Sequence, residues 1–281
     1  MPSPAASHPQ IPVLCGSLSR FASPLGRVMH EAAYRELGLD YRYQPFEISD
    51  VASALIGMRA LGIRGCGVSM PFKLEVIEHL DVVDPLAQRI GAVNTIVNDE
   101  GRLTGYNTDA SGARAAFEEV RSLASARVLL LGAGGAARAV AFAFVEAGAK
   151  LTIANRGVER ARELALAVNA EDGGGLELLS ELGRYDAVVN ASSAGMANVD
   201  EASPVPLDRL RPGLLVMDIV YKPTTTRLVA DALTRGCRTV HGGRMLLHQG
   251  TRQFELYTGR SAPLEVMDRE LRKALGEQPP S

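Results

Sequence analysis

The segment Arg127-Val128-Leu129-Leu130-Leu131 runs straight into Gly132-Ala133-Gly134-Gly135-Ala136-Ala137 and then into an Ala-rich stretch that ends near Ala147. A short apolar strand, a glycine turn, a helix closed by Gly148 and a further strand over Lys150 to Ala154 make one βαβ unit of a parallel sheet. Gly132-x-Gly134-x-x-Ala137 fits the dinucleotide fingerprint with Ala in the third place. The first glycine permits the tight turn. The second lets backbone N–H groups approach a pyrophosphate, which rests on the positive end of the helix. The same glycines would also suit plain strand-to-helix packing, so it is the surrounding strand–turn–helix order that argues for a cofactor. Gly132, Ala133, Gly134, Gly135 and Ala136 are therefore the candidate cofactor-binding turn.

The end of the next strand discriminates between the nicotinamide cofactors. An Asp or Glu there would bond a ribose 2′-hydroxyl, whereas an Arg accommodates a 2′-phosphate. This chain places Asn155-Arg156 at that point, Arg160 one helical turn later, and no acid. The expected cofactor is NADP, held at its 2′-phosphate end by Asn155, Arg156 and Arg160.

The 281 residues suggest about two domains. With 46% hydrophobic and 22% charged residues the composition is that of an ordinary globular core. A net charge of -2 gives no field for a polyanion, so nucleic acid is not an expected partner. Apolar runs such as Val128 to Leu131 are too short to span a bilayer. Met1 to Pro12 reads as a loose tail without the features of a secretory signal. Cys15, Cys66 and Cys237 lack the spacing of a disulfide framework or a zinc site, so no metal is expected and the thiols read as reduced and packed.

Before the glycine turn, short strands alternate with helical patterns. Val13-Leu14-Cys15 reads as a strand followed by a Ser-rich turn, and Arg27 to Leu37 as a helix stopped by Gly38. Tyr41 to Phe46 alternates like a strand, Val51 to Leu61 is helical, and Gly65 to Met70 is a buried strand ended by Pro71. Leu74 to Leu80 is helical, and Thr95-Ile96-Val97 and Leu103-Thr104-Gly105 form a hairpin turning at Asp99-Glu100-Gly101. After the βαβ unit come a helix over Arg160 to Val168, strands over Ala187 to Ala191, Leu214 to Val220 and near Val240, and a helix over Arg227 to Arg235. Met245 to Leu275 reads as two helices broken near Ser261-Ala262-Pro263.

Seven segments, in order, resemble the shikimate dehydrogenase family: Ser17-Leu18-Ser19; Val68-Ser69-Met70-Pro71-Phe72-Lys73; Gly91-Ala92-Val93-Asn94-Thr95; Gly105-Tyr106-Asn107-Thr108-Asp109; Gly132 to Ala136 with Asn155-Arg156; Asp218-Ile219-Val220-Tyr221; and Gly242-Gly243-Arg244-Met245-Leu246-Leu247-His248-Gln249. The resemblance implies an α/β chain of two domains. An N-terminal substrate domain, 1–112, is completed by C-terminal helices in 243–281, and a doubly wound Rossmann domain occupies 113–242. It implies an NADP-dependent oxidoreductase of the shikimate pathway to aromatic amino acids, located in the cytoplasm, interconverting shikimate and 3-dehydroshikimate. Quinate, an aminated analogue, or a redox-silent regulator on the same fold remain alternatives. Lys73 and Asp109 would be the catalytic pair. Ser17 and Ser19 would hold the carboxylate of a polyhydroxylated ring acid, and Ser69, Asn94, Tyr221 and Gln249 its hydroxyls. Ile219, Gly242 and Met245 would line the nicotinamide side.

The chemistry agrees with those roles. Reducing a ketone builds negative charge on oxygen, which a positioned Lys ammonium can neutralise while a carboxylate orients it. Taken alone, Lys73 would be a helix-start surface residue and Asp109 an N-cap. His30 and His248 read as packing or helix-face residues. The chain departs from the family pattern after Ser19, where Arg20-Phe21-Ala22 replaces the usual Pro and the loop to His30-Glu31 is longer. It also departs at His241-Gly242-Gly243-Arg244. Together with Leu61 to Cys66 and Gln253 to Gly259, these features look most like the family's divergent shikimate dehydrogenase-like branch. Arg20 and Arg244 would either add positive charge to the site or face solvent.

Overall fold

A computed structural model describes residues 11–197, 199 and 201–276. All but the last two residues of the expected N-terminal tail lie outside the described residues. The chain builds two six-stranded sheets in succession. The first contains β1 (Val13–Ser19), β2 (Tyr41–Glu47), β3 (Gly65–Val68), β4 (Val82–Val83), β5 (Thr95–Asp99) and β6 (Arg102–Tyr106) in the order β2-β1-β3-β5-β6-β4. It is mixed: β1 runs parallel to β2 and β3, whereas β5 is antiparallel to both its neighbours. The β5–β6 hairpin turns where expected, at Glu100 and Gly101, both with positive φ.

The second sheet contains β7 (Arg127–Leu131), β8 (Lys150–Ala154), β9 (Asp172–Gly174), β10 (Ala187–Asn190), β11 (Leu215–Asp218) and β12 (Arg238–Val240), ordered β12-β11-β10-β7-β8-β9 and parallel throughout. This is the doubly wound order, in which the chain reverses direction of winding between β7 and β10. Val128 to Leu131 are at most 2% exposed, because helices cover both faces of a parallel sheet and leave no solvent side. Each such side chain contributes about 1.5–3 kcal/mol by leaving water.

Nine α-helices among the described residues complete the layers: α1 (Leu25–Glu36), α2 (Val51–Ala60), α3 (Pro85–Ile90), α4 (Thr108–Glu118), α5 (Gly135–Glu146), α6 (Val158–Val168), α7 (Arg227–Thr234), α8 (Gly242–Thr258) and α9 (Leu264–Leu275). The expected helix at Leu74 to Leu80 is instead a 3-10 turn over Glu75–His79. Leu247, Phe254 and Tyr257 of α8 and Met267 and Leu271 of α9 pack into one core with Met29 and Tyr34 of α1, so the C-terminal helices return to the first sheet.

Helices α4 and α8 lie against each other at unusually close range. A Cβ on Gly112 would fall 2.8 Å from the Gln249 nitrogen and 2.9 Å from the Met245 carbonyl oxygen, so only glycine fits this crossing. The ends of these helices are tied by charge. Arg244 of α8 bonds both Glu119 at the end of α4 and Asp268 of α9, and His248 Nε2 lies 2.7 Å from Glu119 Oε1. Arg244 therefore neither enters the candidate site nor faces solvent: it is a structural cross-link, its side chain 14% exposed. Burial would push the Glu119 carboxyl up, but Arg244 and His248 outweigh it and carry it down to about 2. Cys15, Cys66 and Cys237 are free, buried thiols. No helix among the described residues is long and apolar enough to cross a membrane.

Candidate active site

Lys73 follows the end of β3, and Asp109 sits in the first turn of α4. Their side chains meet: Lys73 Nζ donates to Asp109 Oδ2 at 2.6 Å, with the lysine side chain 28% and the aspartate 12% exposed. Asp109 does not cap its helix. That is done by Asn107, whose Oδ1 accepts from the Ala110 N–H. The carboxylate of Asp109 is thus left to the lysine.

Asp109 is fixed from behind by a buried network. Asn94 Nδ2 donates to Asp109 Oδ1 at 2.9 Å and to Thr108 Oγ1 at 3.0 Å, while Asn94 Oδ1 accepts the Thr108 N–H at 2.7 Å. Thr95 Oγ1 also donates to Asn94 Oδ1, and Gln253 Nε2 of α8 donates to Thr95 Oγ1 at 3.0 Å. Thr95, Thr108 and Gln253 were not expected site residues. Their signal was faint, since each lies in a recognisable segment without a side chain that chemistry would single out. In this arrangement Asn94, 2% exposed, gives its polar atoms to the protein.

Ser17 and Ser19 extend β1 beyond the expected strand, because β2 pairs with both and β3 also flanks Ser17. Ser19 is buried and its Oγ donates to the Phe21 carbonyl. Burial raises the Tyr43 phenol, and the Ser17 hydroxyl acts against that rise. Ser69 is exposed at the end of β3, its N–H donating to the Leu18 carbonyl. Gln249 sits beside Thr108 and donates its Nε2 to the Leu246 carbonyl.

The C-terminal ends of the parallel strands carry the other residues. Gly132, φ +117°, has the Ala191 carbonyl 2.9 Å from where a Cβ would stand, so the turn needs glycine for conformation and for space. Gly134 and Gly135, by contrast, face open space, and α5 begins there without an acidic first turn. Ala133 and Ala136 are half-buried. This is a cradle with free N–H donors, and it fits a pyrophosphate. Asn155 bonds the Gly157 carbonyl, while Arg156 and Arg160 are exposed and form no ion pair among the described residues, as a 2′-phosphate site requires. Gly242 abuts the backbone of Ile219 and Val220, and Met245 is buried beneath them.

Asp218, at the end of β11, is fully buried and accepts from Asn190 Nδ2, the Val220 N–H and Thr226 Oγ1. Burial raises its pKa to about 6 against these donors. It holds the start of the segment that carries Ile219 and Tyr221. The Tyr221 phenol, raised mainly by burial, feels the charges of both Lys73 and Asp109. The segment leaving the second sheet thus packs Tyr221 against the core beneath the first. Among the described residues, no group of three or more His, Cys, Asp or Glu could hold a metal ion.

A doubly wound sheet with an open glycine cradle, together with a Lys–Asp pair, defines a nicotinamide-dependent oxidoreductase. Comparison with known proteins makes this specific. Residues 18–96 match the shikimate dehydrogenase substrate binding domain, 113–226 the shikimate/quinate 5-dehydrogenase domain, and 242–272 the shikimate 5'-dehydrogenase C-terminal domain. A shikimate dehydrogenase (NADP(+)) of Moorella thermoacetica is 48% identical over 90% of both chains. The solved shikimate 5-dehydrogenase of Thermus thermophilus in complex with NADP(H) and shikimate is 35% identical, with a TM-score of 0.85 over 93% of this chain and 99% of that one. A solved shikimate 5-dehydrogenase-like protein is also 35% identical, with a TM-score of 0.81 over 93% of this chain and 96% of that one. The chain belongs to the shikimate dehydrogenase family. The shikimate dehydrogenase (NADP(+)) of Moorella thermoacetica is 48% identical to it, against 35% for the shikimate 5-dehydrogenase-like protein.

Proposed function

We propose that this enzyme interconverts shikimate and 3-dehydroshikimate with NADP. The observation that carries this reading is the Lys73–Asp109 pair, in a chain whose parallel sheet also carries an open glycine cradle. Residues 1–112 with 243–281 would bind the ring acid, and 113–242 would bind the cofactor. The cradle from Gly132 to Ala136 would hold the pyrophosphate, Asn155, Arg156 and Arg160 the 2′-phosphate, and Ile219, Gly242 and Met245 the nicotinamide side. When bound, NADP supplies or accepts the hydride.

The protein's own residues do the rest. In the reducing direction, Lys73 Nζ gives a proton to the oxygen on which charge develops, and Asp109 holds the amine in place and bonds a neighbouring hydroxyl. Asn94 keeps Asp109 oriented. Ser17 and Ser19 hold the carboxylate, Ser19 by turning its hydroxyl from the Phe21 carbonyl, and Ser69, Tyr221 and Gln249 contact ring hydroxyls, while Asn94, its polar atoms held by the protein, acts through Asp109. The partner is thus a small ring carboxylate rather than nucleic acid or a membrane, and the cytoplasm is the expected compartment.

The test is a panel of shikimate, quinate and an aminated analogue, each with NADP and NAD. Fastest turnover of shikimate with NADP is expected. A clear preference for quinate would reassign the substrate, and hydride transfer with none of them would remove the activity.

A further inference from the structure

The loop after β1 carries a cation that this mechanism does not use. Arg20 is exposed, forms no ion pair among the described residues, and holds its guanidinium carbon 5.8 Å from the centre of the Phe72 ring. Phe72 is buried and is followed directly by Lys73. A guanidinium over an aromatic face is held weakly at an exposed site, which biases its position and leaves its N–H donors free.

The neighbouring serines are placed differently. The Ser19 hydroxyl already donates to the Phe21 carbonyl, and neither Ser17 nor Ser19 carries charge. Glu47 also faces this loop, but its Oε1 accepts the Ala22 N–H at 3.0 Å. Arg20 is therefore an open, charged donor at this end of β1.

We propose that Arg20 determines specificity at this site by taking the substrate carboxylate in a two-pronged, charge-assisted contact beside Ser17 and Ser19. This rests on the reading of the chain as a ring-acid dehydrogenase. The enzyme then recognises its substrate by formal charge as well as by hydroxyl pattern, and the recognition weakens with salt because the guanidinium is exposed.

The experiment compares shikimate with its methyl ester in the wild type, Arg20→Ala, Arg20→Gln and Arg20→Lys. Steady-state rates are measured with NADP, and calorimetry follows shikimate binding to the NADP-loaded protein. The acid-over-ester ratio of kcat/KM should fall about tenfold or more in Arg20→Ala and Arg20→Gln, chiefly through KM for the acid. Arg20→Lys should recover part of it, keeping the charge without the fork. An unchanged ratio in Arg20→Ala, or a wild type that treats ester and acid alike, overturns the proposal. Failure of the functional reading registers separately, as absent hydride transfer, while calorimetry still reports whether carboxylate binding depends on Arg20.

Discussion

The side chain of Asn107 caps helix α4 through the Ala110 N–H, and Asp109, two residues on, is thereby free to accept from Lys73 at 2.6 Å. A helix start whose acid is not spent on its own N–H groups leaves it to the lysine.

If the pair works mainly in the transition state, its loss appears in kcat. Lys73→Ala should lower turnover by about 10²- to 10⁴-fold, and Asp109→Ala should also lower it. The double variant should be little worse than the poorer single one, because the two act as a unit. Single-turnover hydride transfer, read by nicotinamide absorbance, is the measurement. An unchanged transfer rate in Lys73→Ala would remove it from the mechanism.

Arg156→Ala should weaken NADP far more than NAD, by roughly 10- to 150-fold, the worth of a charge-assisted bond. Titration calorimetry with both cofactors decides it. Equal losses would move the 2′-phosphate elsewhere, with Arg160 the next candidate.

Ser17→Ala and Ser19→Ala should each raise KM for the ring acid by the equivalent of roughly 1 kcal/mol, with NADP affinity almost untouched. If KM stays flat in both, the longer loop has drawn the serines out of the site and only Arg20 addresses the carboxylate.

His30 gives a pH prediction. It is fully buried, stacked on Tyr43, bonded to the Gly26 carbonyl through Nδ1, and its Nε2 has no hydrogen-bond partner. Burial lowers its pKa from 6.5 to about 4. The unfolded chain therefore takes up this proton first, so the stabilisation is complete above pH 6.5 and is lost as pH falls toward 4. The full effect is roughly 3 kcal/mol. Asp218, raised to about 6, acts with opposite sign in an overlapping range. The informative quantity is thus the difference between wild type and His30→Phe. Urea midpoints should converge between pH 7 and pH 4.5, and a constant gap would show that His30 does not titrate there.

The elements legible in the sequence were those whose pattern is local. Arg127 to Leu131 announces a buried strand by its own composition, and the turn after it by its own glycines. What stayed hidden depended on distant partners. Serines have little preference for strands, and Ser17 and Ser19 join β1 only because β2 and β3 pair with it. The edge strand Asp172–Gly174 carries no apolar signal at all. Arg244 could not be placed because Glu119 is 125 residues away. At the site, Lys73 and Asp109 were legible through their motifs, but the buried hydrogen bonds by which Thr95 and Gln253 support them were not.

Helix α4 has its first turn in the Lys73–Asp109 cluster and its far end bonded to Arg244 and His248. At 1.5 Å per residue these ends stand about 15 Å apart. The helix is a lever arm: its fulcrum is the Gly112 crossing with α8, its short end bears the carboxylate paired with Lys73, and its long end is bolted by charge. The position of Asp109 is therefore governed by a rod rather than by a loop, and its alignment with Lys73 is inherited from how α4 is mounted on α8.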